Sequence, residues 1–303
     1  MRGCCSPSAF FPDNFHNILR SRHAVVKKIR AFFDSRGYLE VETPVRVRSP
    51  GIDQYIDAIA CESNFFLAPS PELQMKRLLS CGMKRIYQIS RVFRADESGR
   101  HHSEEFSMLE WYRAGTDYNG IMDEAEQLIR EVVDTAGTSR HFPFQRVRLD
   151  DLYEQQAGWI PSREWDEDRY FRDWATVIEP FLSSVPGIFI SDFPAALAAL
   201  SRLHRAKPET CERFEIFMDG IEIGNAYTEL TDYDEHVRRF EEANRKRSSM
   251  GRRAYPADEN FLQSVRSGIP DCGGIAVGVD RLVMAVLGIG TIDEVQTFPA
   301  SRL

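Results

Sequence analysis

The pair Asp219-Gly220 sits between FEIFM and IEIGNAYTEL, and it constrains this chain more than any other stretch. A two-residue Asp-Gly turn adopts the left-handed backbone whose twist matches two antiparallel strands. It predicts a hairpin that pairs Met218 with Ile221 and Phe217 with Glu222. In that register Glu215 and Glu222 share one face as diagonal neighbours, roughly 7 to 8 Å apart at the backbone. Two bare carboxylates so close repel, and a divalent cation between them relieves the cost. The alternative is a pair of solvent-facing acids on an ordinary hairpin.

Period-2 patterns recur elsewhere. In NAYTE the residues Asn225, Tyr227 and Glu229 share one face, and in SMLEWY so do Met108, Glu110 and Tyr112. An acid and a phenol side by side suit the capture of an amine; a rim glutamate beside a half-core tyrosine is the bland counterpart. In GGIAVGVDRLVM, Gly274, Ala276 and Gly278 leave one strand face almost bare, so a flat ligand or a phosphate chain can lie against the backbone. Arg281 then opens a helix, where anions are favoured. The stretch FRADESGRHHSEEF adds Arg94, Arg100, His101 and His102, which could contact several phosphates or lie on a solvated loop.

Around these strands, apolar spacing predicts helices over Asn14 to Arg36, Ser70 to Leu79, Ile121 to Val133, Asp234 to Met250 and Glu259 to Ser267, and one through RLVMAVLG. Ser70 and Pro71 are an N-cap and first-turn pair. Strands fall at YLEVETP, Ile86 to Phe93 and Ser107 to Tyr112. Residues 137–208 pattern weakly and read as an insertion or connecting region, with a helix near Trp165 to Leu182 and a strand at GIFIS. Hairpins with helices between them give an α+β fold on an antiparallel sheet, spanning residues 13–303 behind a tail of residues 1–12.

Composition then narrows the function classes. With 303 residues and 43% apolar content, the chain can bury a large core. It carries no apolar run of membrane-spanning length and no secretory pattern at its start, so a cytoplasmic location and no membrane partner are expected. Six scattered cysteines suit reduced thiols better than zinc or disulfides. A net charge of -8 argues against an extended nucleic-acid surface.

Three stretches in order carry a resemblance: Pro44 after a long helix, FRADESGRHHSEEFSMLEWYR, and GGIAVGVDRLVM resemble the three motifs of class II aminoacyl-tRNA synthetases, while FEIFMDGIEIGNAYTEL resembles the lysyl branch. Lysyl-tRNA synthetases carry an N-terminal anticodon-binding barrel, whereas here the motif region starts almost at once. The chain is therefore similar to the shortened paralogues that ligate lysine, typically (R)-β-lysine, to elongation factor P. The resemblance implies ATP and Mg²⁺ as cofactors, a homodimer paired through the first motif, and no tRNA substrate.

Residue by residue, the resemblance implies that Arg94 holds the α-phosphate and that His102 and Arg281 contact distal phosphates or adenine. Arg94 and Arg281 are then the catalytic residues. Phe106 stacks on adenine, with Asp96, Ser103, Glu222, Ile223 and Gly278 also around the nucleotide. Glu215 and Glu222 hold Mg²⁺. Ser70, Glu72, Glu110, Tyr112, Asn225, Tyr227, Glu229 and Ala276 line the lysine pocket, with Tyr112 and Glu229 on the distal amine. The chain departs from the lysyl pattern at Ala95, Asp96, Ser103 and Ala276. At the last, one methyl where lysyl-tRNA enzymes have Gly is worth about 1 to 3 kcal/mol of discrimination and favours β-lysine. The rival readings are a truncated lysyl-tRNA synthetase that charges tRNA, and a non-catalytic protein that binds lysine or ATP.

Overall fold

In the computed structural model, which describes residues 14–303, both turn residues take positive φ, +49° at Asp219 and +77° at Gly220, as the hairpin requires. The expected tail, residues 1–12, lies outside the described residues. Helix α1 (Phe15–Ser35) ends as foreseen, with Gly37 left-handed at φ +71°. Four short strands follow: β1 (Leu39–Glu40), β2 (Arg46–Val47), β3 (Ala60–Cys61) and β4 (Phe65–Leu67), the last three forming a small separate sheet. Helix α2 (Glu72–Ser80) starts one residue later than expected, with Pro71 at the cap position; the Ser70 hydroxyl still accepts from the Glu72 N–H at 3.0 Å.

Then come β5 (Arg85–Phe93), β6 (Glu105–Ala114) and α3 (Tyr118–Thr135). The weakly patterned middle supplies β7 (Phe144–Arg148), α4 (Leu149–Ala157), α5 (Glu167–Asp173), a π-helical stretch to Ile178, α6 (Glu179–Leu182), β8 (Gly187–Pro194) and β9 (Leu203–His204). Strands β10 (Lys207–Met218) and β11 (Ile221–Thr228) form the hairpin, followed by α7 (Tyr233–Ser249), α8 (Glu259–Gly268), β12 (Cys272–Gly278) and α9 (Val279–Leu287).

The main sheet runs β1-β5-β6-β12-β11-β10-β8-β7, with β9 on β10. Its interior is antiparallel, and the pairs at its two ends, β1 with β5 and β7 with β8, are parallel. The middle region is thus woven into the sheet through β7 and β8, and it packs a cluster of its own around Tyr153, Trp159 and Tyr170. Alternation decides the rest. Leu109, Trp111, Phe214, Ile216, Ile275 and Val277 point to one face and are buried under α1, α3 and α9, where each such side chain contributes roughly 1.5–3 kcal/mol. The opposite face carries Glu110, Tyr112, Glu215, Asn225 and Ala276.

One irregularity sets that second face. Ile216 pairs with Gly224 but Phe217 pairs with Glu222, so Ile223 is an extra residue, a β-bulge. In an unbroken strand Glu222 and Asn225 would point to opposite faces, since side chains alternate. The bulge brings both to the same side. Among the described residues no helix is long and apolar enough to cross a membrane.

Candidate active site

The second sheet face forms the floor of a cavity of about 1020 Å³, at the upper end of the roughly 300–1,000 Å³ common for small-molecule sites. Across the strands, Gln88 pairs with Glu110, Glu110 with Ala276, Ala276 with Asn225 and Asn225 with Glu215. The next row holds Ile86, Tyr112, Gly274, Tyr227 and Arg213. Strands lie about 4.8 Å apart, so these side chains stand shoulder to shoulder. Of the site residues expected from sequence, all line this cavity except Asp96 and Arg100, the latter exposed and donating to the Gly290 carbonyl at 2.8 Å. Asp96 is exposed on a left-handed turn at φ +60°, and its neighbour Glu97 faces the cavity instead.

At one end the polar groups are buried and already paired. Glu110 accepts from the Ser70 hydroxyl at 2.6 Å and from the Tyr112 hydroxyl at 2.9 Å. Burial, with the charge of Glu72 added, pushes Glu110 up to about 8. Lys76 sits between Glu72 at 2.7 Å and Glu229 at 2.5 Å, with its side chain 0% exposed. The two carboxylates hold its pKa above the ordinary lysine value against the cost of burial. Gly274 is required here. A Cβ on it would overlap the Tyr112 ring and the Glu229 carboxylate, so only glycine lets both side chains cross the strand.

At the other end the groups are cationic and loosely held. Arg94 reaches Glu97 at 3.7 Å and lies 5.3 Å from the Phe106 ring centre. Arg281 donates to the Glu222 carbonyl and the His101 carbonyl, both at 3.1 Å, and to the Glu222 carboxylate at 3.4 Å. His102 is held below the ordinary histidine value by burial and by the Arg281 charge, so it is neutral at pH 7. A Cβ at Gly278 would meet nothing closer than the Arg281 stem at 3.7 Å, so this part of the floor is open. Between the two ends, Glu215 accepts from Arg213 at 2.5 Å, and burial lifts Glu215 to about 7, the charge of Glu222 adding to the lift.

Several residues of the site, Lys76 buried behind its lining and the others on it, escaped the sequence reading. Arg213 could have been found: it stands two residues before Glu215 on the same strand face, and it also donates to Asn225 at 3.1 Å and to the Leu197 carbonyl at 2.6 Å. Lys76 had half a signal, four residues after Glu72 on one helix. The walls from Tyr170, Trp174 and Ala195–Leu200, and from Arg238 and Arg239 on α7, had none. They come from segments whose place is set by tertiary packing.

A chain with this sheet, and with an acid-lined end facing a cationic one, has clear relatives. Residues 9–302 match the family model for class II tRNA synthetases (D, K and N). A protein of Yersinia enterocolitica named elongation factor P--(R)-beta-lysine ligase is 37% identical, with 94% of this chain and 95% of that protein aligned. Proteins of the same name from Pectobacterium atrosepticum and Vibrio cholerae are 36% and 35% identical, with 94% and 97% of this chain and 95% and 99% of theirs aligned. The bulged hairpin, the glycine-lined strand and the arginine that opens α9 are thus built on a shared frame, and this chain belongs to the class II tRNA synthetase family.

Proposed function

We propose that the chain uses ATP to activate lysine, by preference (R)-β-lysine, as an aminoacyl-adenylate, and then ligates it to a lysine side chain of elongation factor P. The observation that carries this reading is the row Glu110, Ala276, Asn225 and Glu215. It joins an acid-lined pocket for amines to an arginine-lined cleft for phosphates. The kinship to ligases aligned over nearly their whole length supports the same reading.

In the first step a carboxylate oxygen of the amino acid attacks the α-phosphorus, and pyrophosphate departs. Two anions must be brought together and the growing charge neutralised; no protein nucleophile is needed. Arg94 and Arg281, the catalytic pair of this proposal, would act on the phosphates, with His102 and Ser103 beside them and Phe106 under the adenine. Glu72, Glu110, Tyr112, Asn225, Tyr227 and Glu229 would hold the amines. In the second step the acceptor amine attacks the adenylate carbonyl, an amide bond forms and AMP leaves.

The donor set fits Mg²⁺, which binds through one or two carboxylates plus phosphate oxygens. Arg213 takes Oε1 of Glu215, which leaves the second oxygen, with the carboxylate of Glu222, for a hard cation. Mg²⁺ held there would neutralise charge on the triphosphate. Ala276 stands between Glu110 and Asn225, where one methyl bears directly on how an amino group lies. We further infer a homodimer paired through α1 and a cytoplasmic site of action; the thiols of Cys61, Cys81, Cys211 and Cys272 are unpaired, as suits a reducing compartment.

The test is incubation with ATP, each lysine isomer and elongation factor P, followed by intact-mass measurement of the acceptor. A mass gain of one lysyl group, larger in yield with (R)-β-lysine, is the expected outcome. Labelled lysine passing to tRNA and not to elongation factor P would instead establish the truncated-synthetase reading.

A further inference from the structure

Lys76 is an ammonium with no exposure, clamped between two carboxylates that belong to different elements, Glu72 on α2 and Glu229 at the end of β11. Glu110 stands beside them and receives hydrogen bonds from Ser70 and Tyr112, which are neutral. Other charges along the cavity pair among themselves: Arg213 with Glu215 at 2.5 Å, Arg239 with Glu235 at 2.7 Å and Arg238 with Glu242 at 2.9 Å. His236, whose ring contacts the Leu230 carbonyl at 2.9 Å, is held neutral by burial and by the Lys76 charge. With Glu110 ionised, as an ammonium placed against it would make it, the amino-acid end holds three carboxylates against one ammonium, and two negative charges have no protein counter-ion.

We propose that Lys76 is a positioning and specificity residue whose resident ammonium sets the charge of the pocket, clamping Glu72 and Glu229 and leaving a deficit of two positive charges that a diamino acid fills. A buried charge without a partner is strongly disfavoured, so the pocket is satisfied only by a ligand that brings two ammonium groups. A monoamine leaves one carboxylate unmatched. This deepens the proposed function and rests on its assignment of the pocket to lysine. It differs from a purely structural role for Lys76 in one respect: it makes the count of charges, and not the integrity of the clamp, the quantity that binding reads.

That difference yields a compensation test. Glu72→Gln leaves a deficit of one, so the second ammonium of the ligand has no counter-ion and affinity should fall about 100-fold. Adding Lys76→Met restores the deficit to two with near-isosteric neutral side chains, and affinity should recover about tenfold. Titration calorimetry of (R)-β-lysine and L-lysine against the full-length wild type, Glu72→Gln and the double variant reads both steps. A structural clamp predicts that the second substitution adds to the damage, and a double variant that binds as poorly as Glu72→Gln, or worse, overturns the proposal. So does a double variant that fails to melt cooperatively, since the pair would then be holding the fold. Wild-type protein that binds either diamino acid but catalyses no ATP–pyrophosphate exchange overturns the proposed reaction, while the double variant still decides the role of Lys76. Wild-type protein that binds neither overturns both.

Discussion

The two ends of the cavity are built to different standards. At the amino-acid end Glu110, Tyr112, Glu229 and Lys76 are all at most 3% exposed, and their contacts run from 2.5 to 2.9 Å. At the nucleotide end Arg94 and Arg281 meet their acidic neighbours only at 3.7 and 3.4 Å. One end is preorganised by the sheet, its side chains already fixed by hydrogen bonds and the Lys76 clamp; the other holds its cations in reserve for a highly charged ligand that would complete their pairing. A small diamino acid offers little binding energy with which to order a site, whereas a triphosphate offers a great deal. The contrast predicts that substitutions at the two ends damage different steps.

The largest effect is expected where the two ends meet. Glu222→Ala should lower adenylate formation about 10³-fold, as loss of a charged group acting on the transition state does. The melting temperature should stay within about 2 °C, because a half-exposed acid contributes little packing. Lysine-dependent ATP–pyrophosphate exchange, alongside a thermal melt, checks this, and normal exchange would remove Glu222 from the nucleotide site. Next is Gly274→Ala. Its Cβ would overlap Tyr112 and Glu229, so lysine affinity should drop about 100-fold and stability by about 1–3 kcal/mol, with ATP affinity unchanged. Equal damage to ATP binding would erase the distinction between the ends. Ala276→Gly is smaller still: the ratio of (R)-β-lysine to L-lysine use should shift about tenfold toward L-lysine. An unchanged ratio in exchange assays would take Ala276 out of specificity.

How legible the site was follows from the same physics. The hairpin could be read because Asp219-Gly220 fixes register and alternation fixes faces. The bulge at Ile223 could not, because an extra residue in one strand changes no local pattern, yet without it Glu222 and Asn225 would sit on opposite faces. The strand-borne residues Glu110, Tyr112, Asn225, Tyr227 and Glu229 were therefore recognisable, while the way they form one floor with Glu215 and Glu222 was not. Lys76 shows a different limit. A lysine four residues after a glutamate on a helix looks like a surface pair, and only the arrival of Glu229 from β11 makes it a buried ion. The middle region was opaque because its core, around Tyr153, Trp159 and Tyr170, follows no single period.

The smallest effect separates the two ends by pH alone. Burial pushes Glu110 up to about 8, the charge of Glu72 adding to the lift and Ser70, Tyr112 and Lys76 opposing it. At pH 7 that carboxyl is mostly protonated. An ammonium placed against it favours the ionised form, so binding a diamino acid must release a proton, and affinity must rise with pH until the free group has ionised. Between pH 7 and pH 8 the gain is about fivefold for one such group, with the curve flattening above. At the nucleotide end His101 and His102 are pushed below the ordinary histidine value; both stay neutral across this interval, so neither histidine makes ATP affinity depend on pH there. Calorimetry of lysine binding at pH 7 in two buffers of different ionisation enthalpy should show proton release, and Glu110→Gln should lower it, Glu229, which burial lifts to about 7, supplying the rest. Lysine affinity that is flat from pH 7 to pH 8 would mean that Glu110 is already ionised before lysine binds, and that charge repulsion, not the hydrogen bonds from Ser70 and Tyr112, sets the shape of the amino-acid end.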